Sequence, residues 1–133
     1  ETAWVVFIPF CNHVDSKMER DIIYGKWLRD QLNSKRFNVL IHNYNPKEIM
    51  AILGFLDIVI STRLHPLILA LQMNVTAVGV DIFEKVRSLC KLHHLPLIMS
   101  CKPTKSHNLL KELIDQKIME KSRTERLREM NNL

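Results

Sequence analysis

Residues 56–73, "LDIVISTRLHPLILALQM", contain the change of periodicity that decides the fold. The run 56–60 is apolar apart from Asp57, which is typical of a strand that is buried on both faces. From Arg63 onward the apolar residues follow the spacing of a helix, with Pro66 in its first turn. A buried strand that leads directly into a helix predicts one β–α unit of a parallel sheet.

The same alternation recurs along the whole chain. Strand-like runs occupy residues 3–10, 37–42, 56–61, 75–80 and 95–100, and helical runs occupy 17–34, 46–55, 63–73, 83–93 and 104 to the end. This order predicts an α/β fold, a three-layer Rossmann-like or flavodoxin-like domain with helices on both faces. We expect one five-stranded parallel sheet of order 2-1-3-4-5 and a long C-terminal helical segment.

The length and charge of the chain suit one ordinary globular domain. The chain has 133 residues and a net charge of +5, and we expect a single Rossmann-like domain over residues 1–119. Residues 120–133 form a charged helical tail in which basic and acidic residues alternate, as on a solvated helix face. The mild charge excess, without interleaved aromatic residues, argues against nucleic-acid binding.

The cysteines and the apolar runs indicate the compartment. Cys11, Cys90 and Cys101 are odd in number and widely spaced, which argues against a disulfide framework and favours a reducing, cytoplasmic location. The triplet Asn74-Val75-Thr76 has the form of an N-glycosylation acceptor, so a secretory-pathway lumen stays open. No apolar run is long enough to span a bilayer. Since the chain starts at Glu1 inside a strand-like run, we expect a domain of a longer protein.

Polar residues gather where the predicted strands end. They include His13 and Asp15 after strand one, Thr62, Arg63 and His65 after strand three, and Asp81, Glu84 and Lys85 after strand four. Open parallel sheets bind ligands at this edge, in the crevice where the strand order reverses. In the order 2-1-3-4-5 that crevice brings "CNHVD" and "STRLH" side by side.

The helix start after strand three has the chemistry of an anion site. The first turn of a helix carries backbone N–H groups without intrahelical partners and the positive end of the helix dipole. Arg63 adds a planar fork that matches a carboxylate or a phosphate, and His65 adds an imidazole that can donate a proton. This combination suits a small anionic substrate that is protonated during the reaction.

Structural interpretations of the same residues stay open. His65 could be a cap or a packing residue, and Arg63 could form an ion pair with Asp57 or Glu84. His13 and Asp15 lack further ligands at metal-site spacing, so we expect no metal. The chain has no glycine-rich phosphate loop of the common patterns, and we expect no cofactor.

Residues 53–86, from "LGFLDIVISTRLH" to "VGVDIFEKV", resemble the core of the polysaccharide pyruvyl transferases. The matching features are Asp57 in an apolar strand, the Arg63-Leu64-His65 triplet, the apolar helix, the next strand and Lys85. The opening of the chain is also similar, with Pro9 at a strand end and a following Asp15. The chain departs from the family's usual glycine before the arginine, its Gly-Val-Pro and its Tyr-Asp-Pro, which are here Ser61-Thr62, Asn74-Val75-Thr76 and Ile82-Phe83-Glu84.

The resemblance implies the C-terminal, donor-binding half of a GT-B-like fold and a missing N-terminal domain. Such an enzyme moves a pyruvyl group from phosphoenolpyruvate to hydroxyls of a glycan or a lipid-linked sugar and forms a pyruvate ketal. By resemblance, His65 would be the catalytic acid or a donor-binding residue. The substrate-binding residues would be Arg63, Thr62, Lys85, Asp15 and His13.

Two other functions fit the same residues. A GT-B glycosyltransferase half would use the helix start to hold the pyrophosphate of a nucleotide sugar. A non-catalytic α/β module would instead dock onto a partner chain, and would not depend on Arg63 or His65.

Overall fold

A computed structural model describes residues 3–11 and 21–132 of the chain. Contacts between Cα atoms divide the chain into two compact units, Glu1–Asn45 and Pro46–Leu133. Within residues 3–11 and 21–132, no helix is both long and apolar enough to cross a membrane.

The first unit is a β–α–β arrangement. Strands β1 (Val5–Phe7) and β2 (Phe37–Val39) pair in parallel, and helix α1 (Asp21–Leu32) packs on them. Gly25 is buried in α1. A Cβ atom at Gly25 would crowd the ring of Phe7, so the missing side chain lets α1 approach the strands closely. The predicted helix start at residue 17 lies outside the described residues.

The second unit holds the remaining elements. They are α2 (Pro46–Gly54), β3 (Ile58–Ser61), α3 (Leu64–Gln72), β4 (Thr76–Val80), α4 (Glu84–His93), β5 (Leu97–Ile98) and α5 (Pro103–Asn131). The three strands form a parallel sheet of order β3-β4-β5, with Ser61 beside Gly79 and Gly79 beside Leu97. Helices α3 and α4 both pack on this sheet and contact each other.

The core of the second unit lies between this sheet and its helices. Its buried apolar side chains are Leu53, Val59, Leu67, Ala70, Val75, Ala77, Val78, Val86 and Cys90. In α3, Leu67 and Ala70 are buried at a spacing of three residues, as expected for one helix face. The burial pattern of β4 explains its uniformly apolar sequence, because the central residues of a strand covered on both faces all lose contact with water.

The predicted α/β class with parallel strands is therefore confirmed, and each predicted element is found at its expected place. The single five-stranded sheet of order 2-1-3-4-5 is not confirmed. In the described residues, the hydrogen-bonded ladders form one sheet of two strands and one of three. Sequence patterns predict strands well, but ladder partners are set by long-range contacts that local periodicity does not encode.

Helix α5 runs without a break from Pro103 to Asn131, through the expected start of the charged tail at residue 120. None of its residues is buried. The predicted solvated face of "KSRTERLREM" is confirmed, since all of these residues are exposed.

Candidate functional site

The start of α3 presents Arg63 and His65 to solvent. Arg63 has extended backbone angles (φ −109°, ψ 148°) at the N-cap position, and its side chain makes no capping hydrogen bond. Its backbone N–H donates to Oγ of Ser61 over 2.9 Å, which ties the turn to the end of β3. The side chains of Arg63 and His65 are exposed, while Pro66 and Leu67 are buried. Because the apolar face of α3 is buried, Arg63 and His65 lie at the surface.

The exposure of His65 bears on its structural interpretations. His65 is exposed and follows the N-cap by two positions, so it is neither a buried packing residue nor the cap. The Asp57 carboxylate accepts a hydrogen bond from Nζ of Lys121 over 2.7 Å. Glu84, the other suggested partner of Arg63, lies at the first position of α4 with an exposed side chain.

The start of α4 lies at the same edge of the sheet. Strands β3 and β4 are parallel and in register from Ile58 beside Thr76 to Ser61 beside Gly79, so their carboxyl ends are adjacent. Helix α4 begins four residues after the end of β4, at Glu84. Its N-cap residue, Phe83, has extended angles and provides no side-chain cap. Two helix N-termini without side-chain caps therefore lie at one sheet edge, an arrangement that favours anions.

A groove of about 420 Å³ separates the exposed faces of α3 and α4. Its lining residues are Leu64 and Ile68 from α3, and Glu84, Lys85, Ser88, Leu89 and Leu92 from α4. These positions follow helical spacing on each side, so the groove runs along both helices from their first turns. Its volume is in the range of small-molecule sites, about 300–1,000 Å³. Lys85 and Glu84 supply the charged groups near the helix starts.

An ion pair connects the β4–α4 turn to the second turn of the helix. Oδ1 of Asp81 accepts a hydrogen bond from Nε of Arg87 over 2.9 Å, and Nη2 of Arg87 lies 2.8 Å from the same oxygen. The Asp81 side chain is 10% exposed and the Arg87 side chain is 58% exposed. The hydrogen bond to Asp81, and then its negative charge, raise the pKa of Arg87 above its usual value.

The structure brings together part of the predicted site. Thr62, Arg63 and His65 lie at the start of α3, and Lys85 lines the groove beside Leu64. The predicted residues His13 and Asp15 lie outside the described residues.

Sequence reasoning did not single out Arg87 or the apolar lining of the groove. One signal was available for Arg87, because an aspartate at a strand end and an arginine six residues later can meet across a short turn into a helix. Within residues 3–11 and 21–132, no group of three or more His, Cys, Asp or Glu side chains could hold a metal ion.

Comparison with protein families identifies one family that matches the chain. The family described as polysaccharide pyruvyl transferase matches residues 5–82, which is more than half of the chain and includes the Arg63-Leu64-His65 turn. The chain belongs to the polysaccharide pyruvyl transferase family. No curated protein and no solved structure shows significant similarity to it.

Only part of the candidate site of this pyruvyl transferase family member lies inside the matched region. Strand β3, helix α3 and strand β4 lie inside the match, whereas Lys85 and Arg87 follow its last residue. The resemblance seen at Arg63 and His65 is thus supported at family level. Lys85 lies outside the matched residues and lines the groove.

Proposed function

We propose that this chain is the donor-binding half of a pyruvyl transferase that uses phosphoenolpyruvate and forms a pyruvate ketal on a glycan. The observation that carries the proposal is the exposed Arg63-Leu64-His65 turn at the start of α3, inside the family match. The adjoining groove, lined by Leu64 and Lys85, supplies the concavity that a small substrate needs.

The reaction sets clear demands on such a site. The methylene carbon of phosphoenolpyruvate gains a proton and becomes a methyl group, and a sugar hydroxyl adds to the neighbouring carbon. Departure of phosphate and addition of a second hydroxyl complete the ketal. The two hydroxyl protons balance the one gained by the methyl group and the one carried away by the phosphate. A proton donor and fixed positive charge are therefore the groups that accelerate the reaction.

The described residues match these demands in chemistry. In this proposal the Arg63 guanidinium binds the carboxylate or phosphate of the donor through two hydrogen bonds. His65, two residues further on, provides the proton. Lys85 adds positive charge from the groove, and Thr62 contributes a hydroxyl at the turn. His13 and Asp15 complete the proposed donor-binding set.

The proposal extends to the architecture of the enzyme. It includes a single five-stranded sheet of order 2-1-3-4-5 over residues 1–119 and a charged helical tail over 120–133. A GT-B-like N-terminal domain would supply the acceptor side of the cleft, where a glycan or lipid-linked sugar binds. The proposal also includes a reducing, cytoplasmic location, which the odd number and wide spacing of Cys11, Cys90 and Cys101 favour.

The test is an NMR titration of the 15N-labelled chain with phosphoenolpyruvate. We expect saturable shifts of the Arg63 and His65 amide signals. In Arg63→Ala, affinity should fall by about tenfold or more, because a charge-assisted pair of hydrogen bonds is lost. Arg36→Ala removes an exposed arginine from the first unit and should leave the affinity unchanged.

Two outcomes would contradict the proposal. Shifts of the same amides by UDP-glucose, with none by phosphoenolpyruvate, would favour a glycosyltransferase half. The absence of shifts with both ligands would overturn donor binding by this chain.

A further inference from the structure

Asp81 is anchored at the sheet edge from which α4 departs. Its backbone N–H donates to the carbonyl oxygen of Ile98 over 2.8 Å, directly after the paired residues Val80 and Ile98. With a side chain that is only 10% exposed, its carboxylate has little access to water and depends on a cationic partner. The position of this carboxylate is therefore set by the sheet.

The Arg87 side chain, on α4, contacts the Asp81 carboxylate. Its Nε donates a hydrogen bond to Oδ1 of Asp81, its Nη2 lies 2.8 Å from the same oxygen, and this ion pair spans the whole β4–α4 turn. The N-cap residue Phe83 contributes only its backbone carbonyl, which accepts from the N–H groups of Val86 at 3.0 Å and Arg87 at 3.2 Å. A helix start without a side-chain cap is more easily frayed. The ion pair replaces the missing cap by tying the second turn of α4 to the sheet.

Lys85 lies inside the segment that this pair closes. It is the second residue of α4 and lines the groove, and Asp81 and Arg87 flank it in the chain. A lysine has a long, flexible side chain, so its ammonium group is directed only if its backbone is held in place. We infer that Asp81 and Arg87 are positioning residues that fix the start of α4 and with it Lys85. Their effect on the donor rests on the proposed function.

The direction in which one variant changes the ligand affinity distinguishes positioning from simple electrostatics. Asp81→Asn removes a negative charge near the site, so electrostatics alone would tighten the binding of an anion. Positioning requires the opposite result. We expect both Asp81→Asn and Arg87→Ala to weaken phosphoenolpyruvate binding about two- to fivefold, the range that a partly exposed ion pair supports.

Two further variants serve as controls. Lys91→Ala removes a positive charge from the same helix, one turn beyond Arg87, and should change the affinity less than Arg87→Ala does. Arg87→Lys keeps the charge but not the guanidinium geometry, and should recover part of the affinity. Circular dichroism of each variant would verify that the fold is retained.

A ligand-free measurement tests the positioning directly. Amide hydrogen exchange at Val86, whose N–H donates to the carbonyl oxygen of Phe83 over 3.0 Å, and at Ser88 should accelerate in Asp81→Asn and Arg87→Ala but not in Lys91→Ala. Unchanged exchange would overturn the inference, and so would tighter binding by Asp81→Asn. If the wild-type chain does not bind phosphoenolpyruvate, the proposed function fails, while the exchange data still decide whether the pair fixes α4.

Discussion

Gly79 lies in the middle of the sheet, paired with Ser61 on one side and Leu97 on the other. A Cβ atom at this position would collide with Sγ of Cys90 and lie 3.0 Å from Cγ1 of Val86. Both of these side chains belong to α4 and are buried. The absence of a side chain at Gly79 therefore sets how closely α4 approaches β4, and with it one wall of the groove.

Gly79→Ala should lower the free energy of unfolding by about 1–3 kcal/mol, because an added methyl group overpacks the interface between α4 and the sheet. Urea unfolding monitored by circular dichroism measures the loss. Gly54→Ala is the matched control, since its new methyl would meet only the flexible end of Met73 at 2.8 Å. In the double mutant Gly79→Ala/Cys90→Ala, the loss of stability should be smaller than the sum of the losses in the two single mutants. Strict additivity would argue against the contact.

The Cys90 thiol has the environment of a core packing residue. Its side chain is 2% exposed beneath α4, and burial raises the pKa of its thiol above the usual value. The neutral form therefore dominates at physiological pH, and a neutral buried thiol is a poor nucleophile.

Asn74 shows how one departure from the family pattern is tolerated. It has a left-handed backbone with φ of 55°, at the turn between α3 and β4 where the family usually has glycine. Asparagine is among the residues that adopt this conformation most readily. The substitution therefore preserves the turn that leads into β4.

At the scale of elements, α5 changes its environment along its length. Leu109, Leu110, Leu113 and Ile114 are half-buried, whereas Met119, Leu127 and Met130 are exposed. Lys121 joins the helix to Asp57, just before β3, through a 2.7 Å ion pair. Beyond this contact the helix depends on its own hydrogen bonds, which are weak support in water.

Amide hydrogen exchange should therefore be slower at residues 106–121 of α5 than at 123–131. Asp57→Asn should extend the fast-exchanging segment toward Met119, because the carboxylate partner of Lys121 is lost. The effect should be small, about 0.2–1 kcal/mol for such an exposed pair, and should shrink at high salt. Glu120→Gln, which breaks only a pair with Lys117 inside the helix, is the control. Uniform exchange along α5 would contradict this assignment.

At the scale of the whole molecule, the proposed function requires a longer protein that contains both halves of the cleft. In that protein, His65→Ala should lower kcat for pyruvyl transfer by about 10²–10⁴-fold, the usual contribution of a general acid. Arg63→Ala should mainly raise the KM for phosphoenolpyruvate. Since both side chains are exposed, folding measured by circular dichroism should be normal.

His107→Ala, at an exposed position of α5, provides the matched histidine control and should retain full turnover. If the variants at Arg63 and His65 also retain turnover and partner binding, this chain would act as a non-catalytic module.

The sequence by itself determined the order and type of the elements and the location of the Arg63-Leu64-His65 turn. Alternating periodicity, Pro66 and the polar residues at strand ends are local signals, and local signals can be read directly from the chain. The tertiary structure decided that β1 pairs with β2 and that β4 pairs with both β3 and β5. It also decided that α3 and α4 enclose a groove and that Asp81 pairs with Arg87. These features depend on which elements become neighbours, and that choice is made by packing between residues distant in sequence.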